Sequence, residues 1–344
     1  MKSHTVPKRL LRQFAYPEAS TGSDRLWRYE KDRVPYSKAS PDTATRIDGH
    51  FADPEDAVIE ATIERRLAYE IEDPVNQFIA NFYDPSFAMN DEQKRKMTRY
   101  VTLLFNRSIA RRNATQHLLE IRNNALNHFL SNEIQLETVA AHWNIDAFFK
   151  GLRFGRLITR EDVVRRAREF VVANASGREA QTWYAQGTLR ALAGFDEVLF
   201  RGEWRLLSAE PSKTFLLSDT PVITWNRLES GQLAYGVGFH TANVEVFLPI
   251  SPATCLHILP YVHRTRRIAS PTVTEINIAE ASFSYNACFA SQFSQELDVI
   301  VQQHISTVRI GENAFTVFHR NYENTIYDTL MSGGRWADPP RISS

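Results

Sequence analysis

The sequence predicts an α+β fold with a mainly helical N-terminal half, a mixed β-sheet with flanking helices after it, and an N-terminal arm docked on the sheet. Three observations predict it. The 344 residues, 43% of them hydrophobic, can bury a sizeable core. Apolar residues recur at helical spacing between positions 51 and 195. After Phe195 the apolar period shortens to about 2, which is typical of strands.

The first fifty residues have the character of an arm. Pro17, Pro35 and Pro41 interrupt the segment, which shows no sustained period of either kind. Residues 26–30 alternate large and polar side chains, so we expect one half-buried strand there. The arm therefore needs the rest of the chain to complete its packing.

Helical patterns fill the next part of the chain. Asp53 and Pro54 provide a capping residue and a first-turn proline, and apolar residues follow from Val58 to Ile71. Asp73 and Pro74 repeat this start signal. Further helices are predicted over residues 91–130 (as two helices interrupted near 111–114), 134–142, 159–172 and 178–193.

Strand patterns dominate from residue 198 onward. Residues 198–200 and 204–207 flank a short turn and predict a hairpin. Further strands are predicted over 214–217, 222–225, 244–248 and 255–259, with helices over 272–289 and 296–304. We therefore divide the chain into an arm (1–50), a helical region (51–195), an α/β region (196–325) and a C-terminal tail (326–344).

Charge and cysteine content exclude several classes of protein. Forty basic and 40 acidic residues cancel, so no net field draws the whole molecule to nucleic acid or to an anionic membrane. Cys255 and Cys288 form no disulfide framework. The N-terminus lacks the apolar run of a signal peptide, and no apolar stretch approaches the ~20 residues that span a bilayer. We expect a soluble, cytoplasmic protein without a membrane partner.

The commonest catalytic signatures are absent from the sequence. It contains no GxSxG nucleophile elbow, no P-loop, no HExxH zinc motif and no EF-hand loop. The glycine pattern at residues 236–238 is too short to hold a phosphate. No well-known reaction class follows from local motifs.

Three short motifs stand in a fixed order along the chain. They are His-Thr-Val-Pro at residues 4–7, Leu-Ser-Asp-Thr-Pro-Val at 217–222 and Phe-Leu-Pro-Ile-Ser-Pro at 247–252. In order and spacing they resemble the family called domain of unknown function 4238, and the resemblance spans nearly the whole chain. It implies a shape and a set of candidate positions, but no reaction.

The resemblance also implies a glutamate-rich helix in the first third of the chain and an asparagine in a helix after the last motif. Glu60, Glu64 and Glu70 are similar to the former, and Asn277 to the latter. Ile250 stands where the family usually has leucine, a difference that concerns packing and no polar group.

His4 and Asp219 are the first two candidate catalytic residues. Imidazole titrates near neutral pH and serves as acid, base or metal ligand; alternatively, His4 bonds a backbone carbonyl and fixes the arm. Asp219 follows a predicted strand, where open sheets present ligand-binding residues; alternatively, it stabilises a turn ahead of Pro221.

Glu60 and Glu64 are candidate metal ligands together with Asp219, and Glu64 is the third candidate catalytic residue. The two glutamates lie four residues apart on one helix face, as two carboxylates that share one divalent cation must. Mg²⁺ or Mn²⁺ is the cation we consider. The alternative is a solvated acidic face beside Arg65 and Arg66.

A basic segment supplies the candidate substrate-binding residues. Arg153, Arg156 and Arg160 follow one another at helical spacing, with aromatic residues between basic ones. Such a stripe suits a phosphate backbone, so nucleic acid or another phosphate-bearing anion is the candidate partner. The alternative is a charged surface that pairs with acidic side chains.

Two functional hypotheses follow. The first is a metal-assisted hydrolase, nuclease-like in type, that acts on phosphodiester or nucleic-acid-like substrates. The second is a non-catalytic binding or interaction module whose motif residues are structural. A polar site that unites His4, Asp219 and Glu64 would favour the first hypothesis.

Overall fold

The computed structural model of the protein describes most of the chain. The described residues are 2–20, 22–33, 37–52, 56, 58–84, 87–149, 156–170, 182, 184–188, 196–228, 230–260, 270–308, 326–328, 330 and 331. They form two compact units. The first comprises residues 1–114 and 181–311, and the second comprises residues 115–180 and 312–344.

The fold is α+β, as predicted, but the N-terminal half is less helical than predicted because the arm contains short strands. Strand β1 (Lys2–His4) pairs antiparallel with β5 (Arg46–Asp48). Helix α1 (Lys8–Gln13) follows β1, with Pro7 at its N-cap.

The arm docks on a sheet, as predicted. Leu10, Leu11 and Phe14 are fully buried and belong to the same hydrophobic core as Val246 and Phe247 of the main sheet. Burial of each such side chain contributes about 1.5–3 kcal/mol. The arm is therefore an integral part of the first unit.

The main sheet has five strands in the order β6-β11-β10-β8-β9. Its strands are β6 (Glu203–Ser208), β8 (Ile223–Arg227), β9 (Leu233–Tyr235), β10 (Val244–Ser251) and β11 (Thr254–Leu259). We predicted a mixed sheet. The pairings within the described residues are all antiparallel, and only the β8–β9 and β10–β11 pairs join consecutive strands through short connections.

A second sheet joins the arm to the C-terminal part of the first unit. It contains β2 (Tyr16–Pro17), β3 (Asp24–Glu30), β12 (Ala287–Ala290) and β7 (Leu217–Ser218) in that order, with β4 (Ser37–Ala39) also paired to β3. The arm thus supplies β2, β3 and β4 to this sheet, and the later part of the chain supplies β7 and β12.

A helix with an unusual centre follows the arm. Helix α2 (Ile59–Arg66) continues into a π-helical segment (Leu67–Glu72), then into α3 (Asp73–Asn76) and a 3₁₀ helix (Ile79–Tyr83). Pro74 explains the change, since proline has no N–H and its ring clashes with the carbonyl four residues earlier. The Asp73 N–H instead donates to the Ala68 carbonyl, five residues back.

Two long helices come next, as predicted. Helix α4 (Asp91–Asn106) begins with a capping box between Asn90 and Gln93. Helix α5 (Ile109–Ser131) follows after a break at residues 107 and 108. The predicted break near 111–114 was therefore too late by one turn.

Three of the predicted elements after residue 195 differ from the structure. The strand predicted over 214–217 is β7, which spans only Leu217–Ser218. Residues 198–200 belong to helix α8 (Glu197–Arg201), not to a strand, because the Asp196 carboxylate caps the N–H groups of Val198 and Leu199. The helix predicted over 272–289 ends early: α9 spans Val273–Phe283, and the chain then turns into β12. Helix α10 (Gln295–His304) agrees with its prediction.

The second unit contains α6 (Glu133–Phe149) and α7 (Arg160–Phe170). The Asn144 side chain holds the segment before α7, since it accepts from the Ile158 N–H at 2.8 Å and donates to the Ile158 carbonyl at 2.9 Å. Leu136, Val139 and Val163 lie in the core of this unit. The predicted helix over 178–193 lies largely outside the described residues, and the boundaries proposed at residues 50, 195 and 325 remain predictions.

In the part of the chain that the structure describes, the helices are all too short or too polar to span a lipid bilayer.

Candidate functional site

Arg107 is a buried arginine of the first unit. It directly follows α4, and its backbone N–H still donates to the Leu103 carbonyl, which holds the side chain against the protein interior. Only 2% of Arg107 is exposed. Its Nε donates to the Thr5 carbonyl at 2.8 Å, and its Nη1 donates to Glu72 Oε1 at 2.7 Å. One guanidinium thus connects the arm to the π-helical segment.

Polar side chains from four elements surround this guanidinium. We call them the Arg107 cluster, which consists of Ser3, His4, Glu60, Glu64, Glu72, Tyr100 and Arg107. The cluster contains three of the residues predicted from sequence.

Glu60 and Glu64 lie on one face of α2, as their spacing predicts. The Ser3 hydroxyl donates to Glu60 Oε1 at 2.9 Å, so β1 of the arm packs directly on this face. Glu60 is buried and Glu64 is partly exposed. Glu70 lies elsewhere: it pairs with Arg66 at 2.9 Å on the surface of the helix.

Glu72 reaches the cluster because of the π-helical segment. In a regular α-helix, the residue seven positions after Glu64 lies on the same face as Glu64. That residue is Ile71. The wider turn accommodates one extra residue, so Glu72 takes this place and Ile71 is buried in the core. Pro74, by widening the turn, aligns three carboxylates near Arg107.

His4 approaches Arg107 from the other side of β1. Neighbouring residues of a strand point to opposite faces, so His4 lies away from Ser3 and next to Arg46 of the paired strand. Burial lowers the pKa of His4, and the positive charges of Arg107, Lys8 and Arg46 lower it further, against the opposing effect of Glu72. The imidazole is therefore neutral at physiological pH.

Glu64 has the opposite shift. Burial raises the pKa of Glu64, and the negative charges of Glu72 and Glu60 add to the rise, whereas Arg107 and the Ser3 hydroxyl oppose it. An imidazole whose pKa is lowered and a carboxyl group whose pKa is raised thus lie on either side of one arginine. Such divergent pKa values are typical of acid–base sites.

Four buried polar atoms of the cluster have no hydrogen-bond partner among the described residues. They are His4 Nε2, Glu64 Oε1, Tyr100 Oη and Arg107 Nη2. Each such atom costs about 1–3 kcal/mol when it stays unpaired, and native proteins contain few of them. Their concentration around one guanidinium is what a site for a small polar ligand requires.

His50 supports Arg107 from behind. Its Nε2 donates to the Arg107 carbonyl at 2.7 Å and lies 3.0 Å from the Tyr184 hydroxyl. Burial lowers the pKa of His50 to about 4, so this imidazole is also neutral. It fixes the backbone of Arg107 and takes no part in the cluster itself.

Asp219 lies in a different environment, which we call the Asp219 turn (Asp219 with residues 284–287). The chain turns there from α9 into β12. Oδ1 accepts from the Ser284 hydroxyl at 3.2 Å and the Tyr285 N–H at 2.7 Å, and Oδ2 accepts from the N–H groups of Asn286 at 2.7 Å and Ala287 at 3.2 Å. Burial raises the pKa of Asp219, and these hydrogen bonds oppose the rise.

Two neighbouring polar residues resemble Asp219 in being buried and bonded to backbone. Asn277 accepts from the Leu216 N–H and donates to the Thr214 carbonyl, both at 2.8 Å. Glu280 accepts from the Ser218 N–H at 2.9 Å, and burial raises its pKa. Its Oε1 has no partner among the described residues, but Glu280 is 0% exposed, unlike His4 and Glu64.

The structure therefore brings together His4, Glu60 and Glu64 around Arg107, and it places Asp219 with residues 284–287. The contacts described for Asp219 include neither His4 nor the two glutamates. Shared ligation of one metal by Asp219, Glu60 and Glu64 remains a prediction. Among the described residues, the structure contains no group of three or more His, Cys, Asp or Glu side chains arranged to hold a metal ion.

Two of the three predicted substrate-binding arginines are in ion pairs of the second unit. Arg156 donates two hydrogen bonds to Asp162, at 2.8 and 2.9 Å, and Arg160 pairs with Glu133 at 2.9 Å. Arg153 lies outside the described residues. These contacts are those of a charged surface paired with acids, the alternative that the sequence left open.

Comparison with known families tests the family resemblance that the three sequence motifs indicated. The model of the family described as a protein of unknown function, DUF4238, matches residues 2–294. The chain belongs to this family. The search of curated proteins found no match, and neither did the search of solved structures.

The DUF4238 region covers both the Arg107 cluster and the Asp219 turn. The resemblance stated from the sequence is confirmed at the level of the family. Family membership assigns no reaction to either place.

Sequence reasoning missed Arg107, Glu72, Tyr100 and Ser3. Arg107 is one of many arginines in a helical region, and its spacing carries no signal. Glu72 reaches the cluster only through the register change before Pro74, and that proline was the available clue. Tyr100 has the sequence position of an ordinary core residue of α4, and it is 1% exposed.

Proposed function

We propose that the protein is a hydrolase of small phosphate-ester substrates whose centre is the Arg107 cluster. The observation that carries the proposal is the set of four buried, unpaired polar atoms around Arg107. Buried unpaired atoms of this kind are explained by a bound ligand, by ordered water or by a catalytic role.

The charges around His4 favour an anionic substrate group on that side. Arg107, Lys8 and Arg46 all act on His4, and Glu72 is the acid that opposes them. Arg107 Nη2 is a buried N–H donor without a partner among the described residues. This remaining N–H suits a phosphoryl oxygen, because a hydrogen bond between a guanidinium and a phosphate is charge-assisted and stronger than a neutral one.

The directions of the two pKa shifts support the acid and base roles that we propose. In the proposed reaction, neutral His4 accepts a proton at Nε2 from the water that attacks phosphorus. Glu64, whose pKa is raised, donates a proton to the leaving oxygen as the P–O bond breaks. Arg107 stabilises the charge on the phosphoryl oxygens.

The role of the predicted divalent metal is tested separately, by measuring activity with and without the ion. Glu60 and Glu64 share a face of α2, and carboxylate oxygens are the ligands that Mg²⁺ and Mn²⁺ prefer. Activity that needs one of these ions would assign Glu60 and Glu64 to the metal and not to proton transfer.

The test is hydrolysis of bis(p-nitrophenyl) phosphate and p-nitrophenyl phosphate by the full chain, with and without Mg²⁺ or Mn²⁺. We expect turnover by the wild-type protein and a loss of about 10²–10⁴-fold in kcat for His4→Gln and for Glu64→Gln. Asp219→Asn is the matched control, since it alters a buried acid outside the cluster and should keep kcat within about threefold, because it touches none of the proposed catalytic groups.

Two results would contradict the proposal. One is a wild-type protein without hydrolysis of either ester under any of these conditions. The other is activity that survives in both His4→Gln and Glu64→Gln, because no acid or base of the cluster would then be needed.

A second candidate function is a binding module without catalysis, and the Asp219 turn favours it. The central motif residue of the family resemblance, Asp219, uses both oxygens to hold the backbone. If the other motif residues are equally structural, the Arg107 cluster binds an anion and releases it unchanged. Phosphate binding without ester hydrolysis would support this alternative.

A further inference from the structure

Helix α6 of the second unit is apolar on two opposite faces. Leu136, Val139 and Ala140 are buried in the core of that unit. The opposite face carries Ile134, Thr138, Ala141, Ile145 and Phe148, which we call the α6 seam. All five are exposed. An α-helix that carries apolar side chains on opposite faces normally buries both of those faces.

The exposure of this face is large. Ile134, Ile145 and Phe148 are 78%, 57% and 79% exposed, and Phe149, next to Phe148 in the chain, is 81% exposed. Together these side chains present on the order of 600 Å² of apolar surface. That is near the upper limit for the largest patch of a monomer, roughly 300–600 Å². It approaches the ~800 Å² that each partner buries in a standard interface.

Helix α7 of the same unit has a polar outer surface, as is usual for a helix at a protein surface. Its exposed positions include Glu161, Arg165 and Arg168, and Val163 and Ala167 face the core. The apolar outer face is therefore a property of α6 and not of the unit as a whole.

The spacing of the α6 seam indicates what covers it. Its residues follow at intervals of four, three, four and three, which is the heptad pattern of a helix that packs on another helix. The Thr138 hydroxyl donates to the Ile134 carbonyl at 2.7 Å within the helix, so its methyl group remains for packing. No charged residue interrupts the seam.

The two outermost positions of the seam are symmetric about Ala141, whereas Thr138 lies three residues before it and Ile145 four residues after it. Ala141 lies seven residues after Ile134 and seven before Phe148. If two copies of α6 pack antiparallel about a two-fold axis at Ala141, Ile134 of each copy meets Phe148 of the other. The small side chain at the axis allows close approach of the two helices.

We infer that the α6 seam is a homodimer interface, formed by antiparallel packing of α6 on the same helix of a second copy. This inference concerns the second unit and does not depend on the proposed hydrolase. A dimer of this kind shields the Phe148 and Phe149 side chains from water.

The test is sedimentation velocity of the full chain across roughly a hundredfold range of concentration. We expect a reversible monomer–dimer equilibrium for the wild-type protein. Ile145→Glu should raise the dimer dissociation constant by roughly tenfold or more, because it places a charge in the seam. Val299→Glu, which changes a 46% exposed apolar residue of α10, is the control and should leave the constant unchanged.

A cysteine at the axis gives an independent readout. Ala141→Cys should form a disulfide-linked dimer on mild oxidation, since residue 141 faces its own copy in the proposed geometry. The native Cys255 and Cys288 are fully buried and do not compete. A cysteine placed at the exposed Glu210 should not cross-link.

Three results would overturn the inference. They are a wild-type protein that stays monomeric at the highest concentration, a dimer that Ile145→Glu leaves intact, and absence of the Ala141→Cys cross-link. A monomer whose melting temperature falls sharply in Ile145→Glu would show that the seam packs within one chain, which also overturns it.

Discussion

The Asp219 turn and the Arg107 cluster both bury carboxylates in the first unit, but they use the oxygen atoms differently. Asp219 accepts four hydrogen bonds, three of them from consecutive backbone N–H groups. Glu64 has an oxygen with no partner among the described residues, next to similarly unpaired atoms of His4 and Arg107. A carboxylate that the backbone saturates holds a fold together, whereas an open carboxylate beside a neutral imidazole and an arginine is available to a ligand.

This difference predicts opposite effects of substitution on stability. At the Asp219 turn every lost acceptor leaves a buried donor unpaired. In the Arg107 cluster, His4 Nε2, Glu64 Oε1 and Arg107 Nη2 have no partner among the described residues, so losing one of these atoms breaks no described hydrogen bond.

Asp219→Ala should lower the free energy of unfolding by about 4 kcal/mol, since it leaves the donors of residues 284–287 without an acceptor. Urea denaturation monitored by circular dichroism measures the change. Asp219→Asn retains one acceptor oxygen and should lose less. If Asp219→Ala is as stable as the wild-type protein, the turn does not have the structural role assigned to it.

Acidification should destabilise the protein through His50, which supports the Arg107 backbone. Burial lowers the pKa of His50 from 6.5 to about 4, so below pH 6.5 the unfolded chain binds a proton that the folded protein does not. The free energy of unfolding should fall by about 3 kcal/mol from this group between pH 6.5 and 4.

The measurement is the difference between the pH profiles of unfolding free energy for the wild-type protein and His50→Gln. The variant should be less stable at pH 7 and should lack this part of the acid sensitivity. Profiles that run parallel from pH 7 to 4 would show that His50 is not held neutral.

Glu64→Met should stabilise the protein by about 1 kcal/mol at pH 7. The substitution removes a carboxyl group whose pKa is raised by burial and whose Oε1 has no partner among the described residues. The stability that the raised pKa of Glu64 provides is present below pH 4.5 and is lost as pH rises through the folded-state pKa. The gain should therefore grow with pH across that range.

Thermal unfolding of Glu64→Met and the wild-type protein at several pH values measures this effect. A variant destabilised by several kcal/mol would mean that Glu64 is a structural carboxylate like Asp219. The contrast between the two regions would then disappear.

Much of this contrast was readable in the sequence. The spacing of Glu60 and Glu64 predicted their shared face, and the family resemblance drew attention to His4 and Asp219. The α+β class followed from the change of period near residue 195. Capping residues correctly placed several helices, such as the one that Asn90 begins.

The rest depended on tertiary structure. Nothing local says that the Asp219 carboxylate faces three N–H groups that lie more than sixty residues later in the chain. Glu72 joins Arg107 only because the turn before Pro74 widens. Residues 198–200 have apolar side chains that suit a strand, and the Asp196 cap overrides that preference.

The most direct test of the central claim is the melting temperature of the protein as inorganic phosphate is added. A ligand that binds only the folded state raises it by mass action, and His4→Gln corrects for the general stabilisation that excluded anions produce. We predict a rise for the wild-type protein and for Asp219→Asn that exceeds the rise for His4→Gln. An equal rise in all three proteins, or none in the wild-type protein, would contradict the assignment of the Arg107 cluster as the anion-binding site.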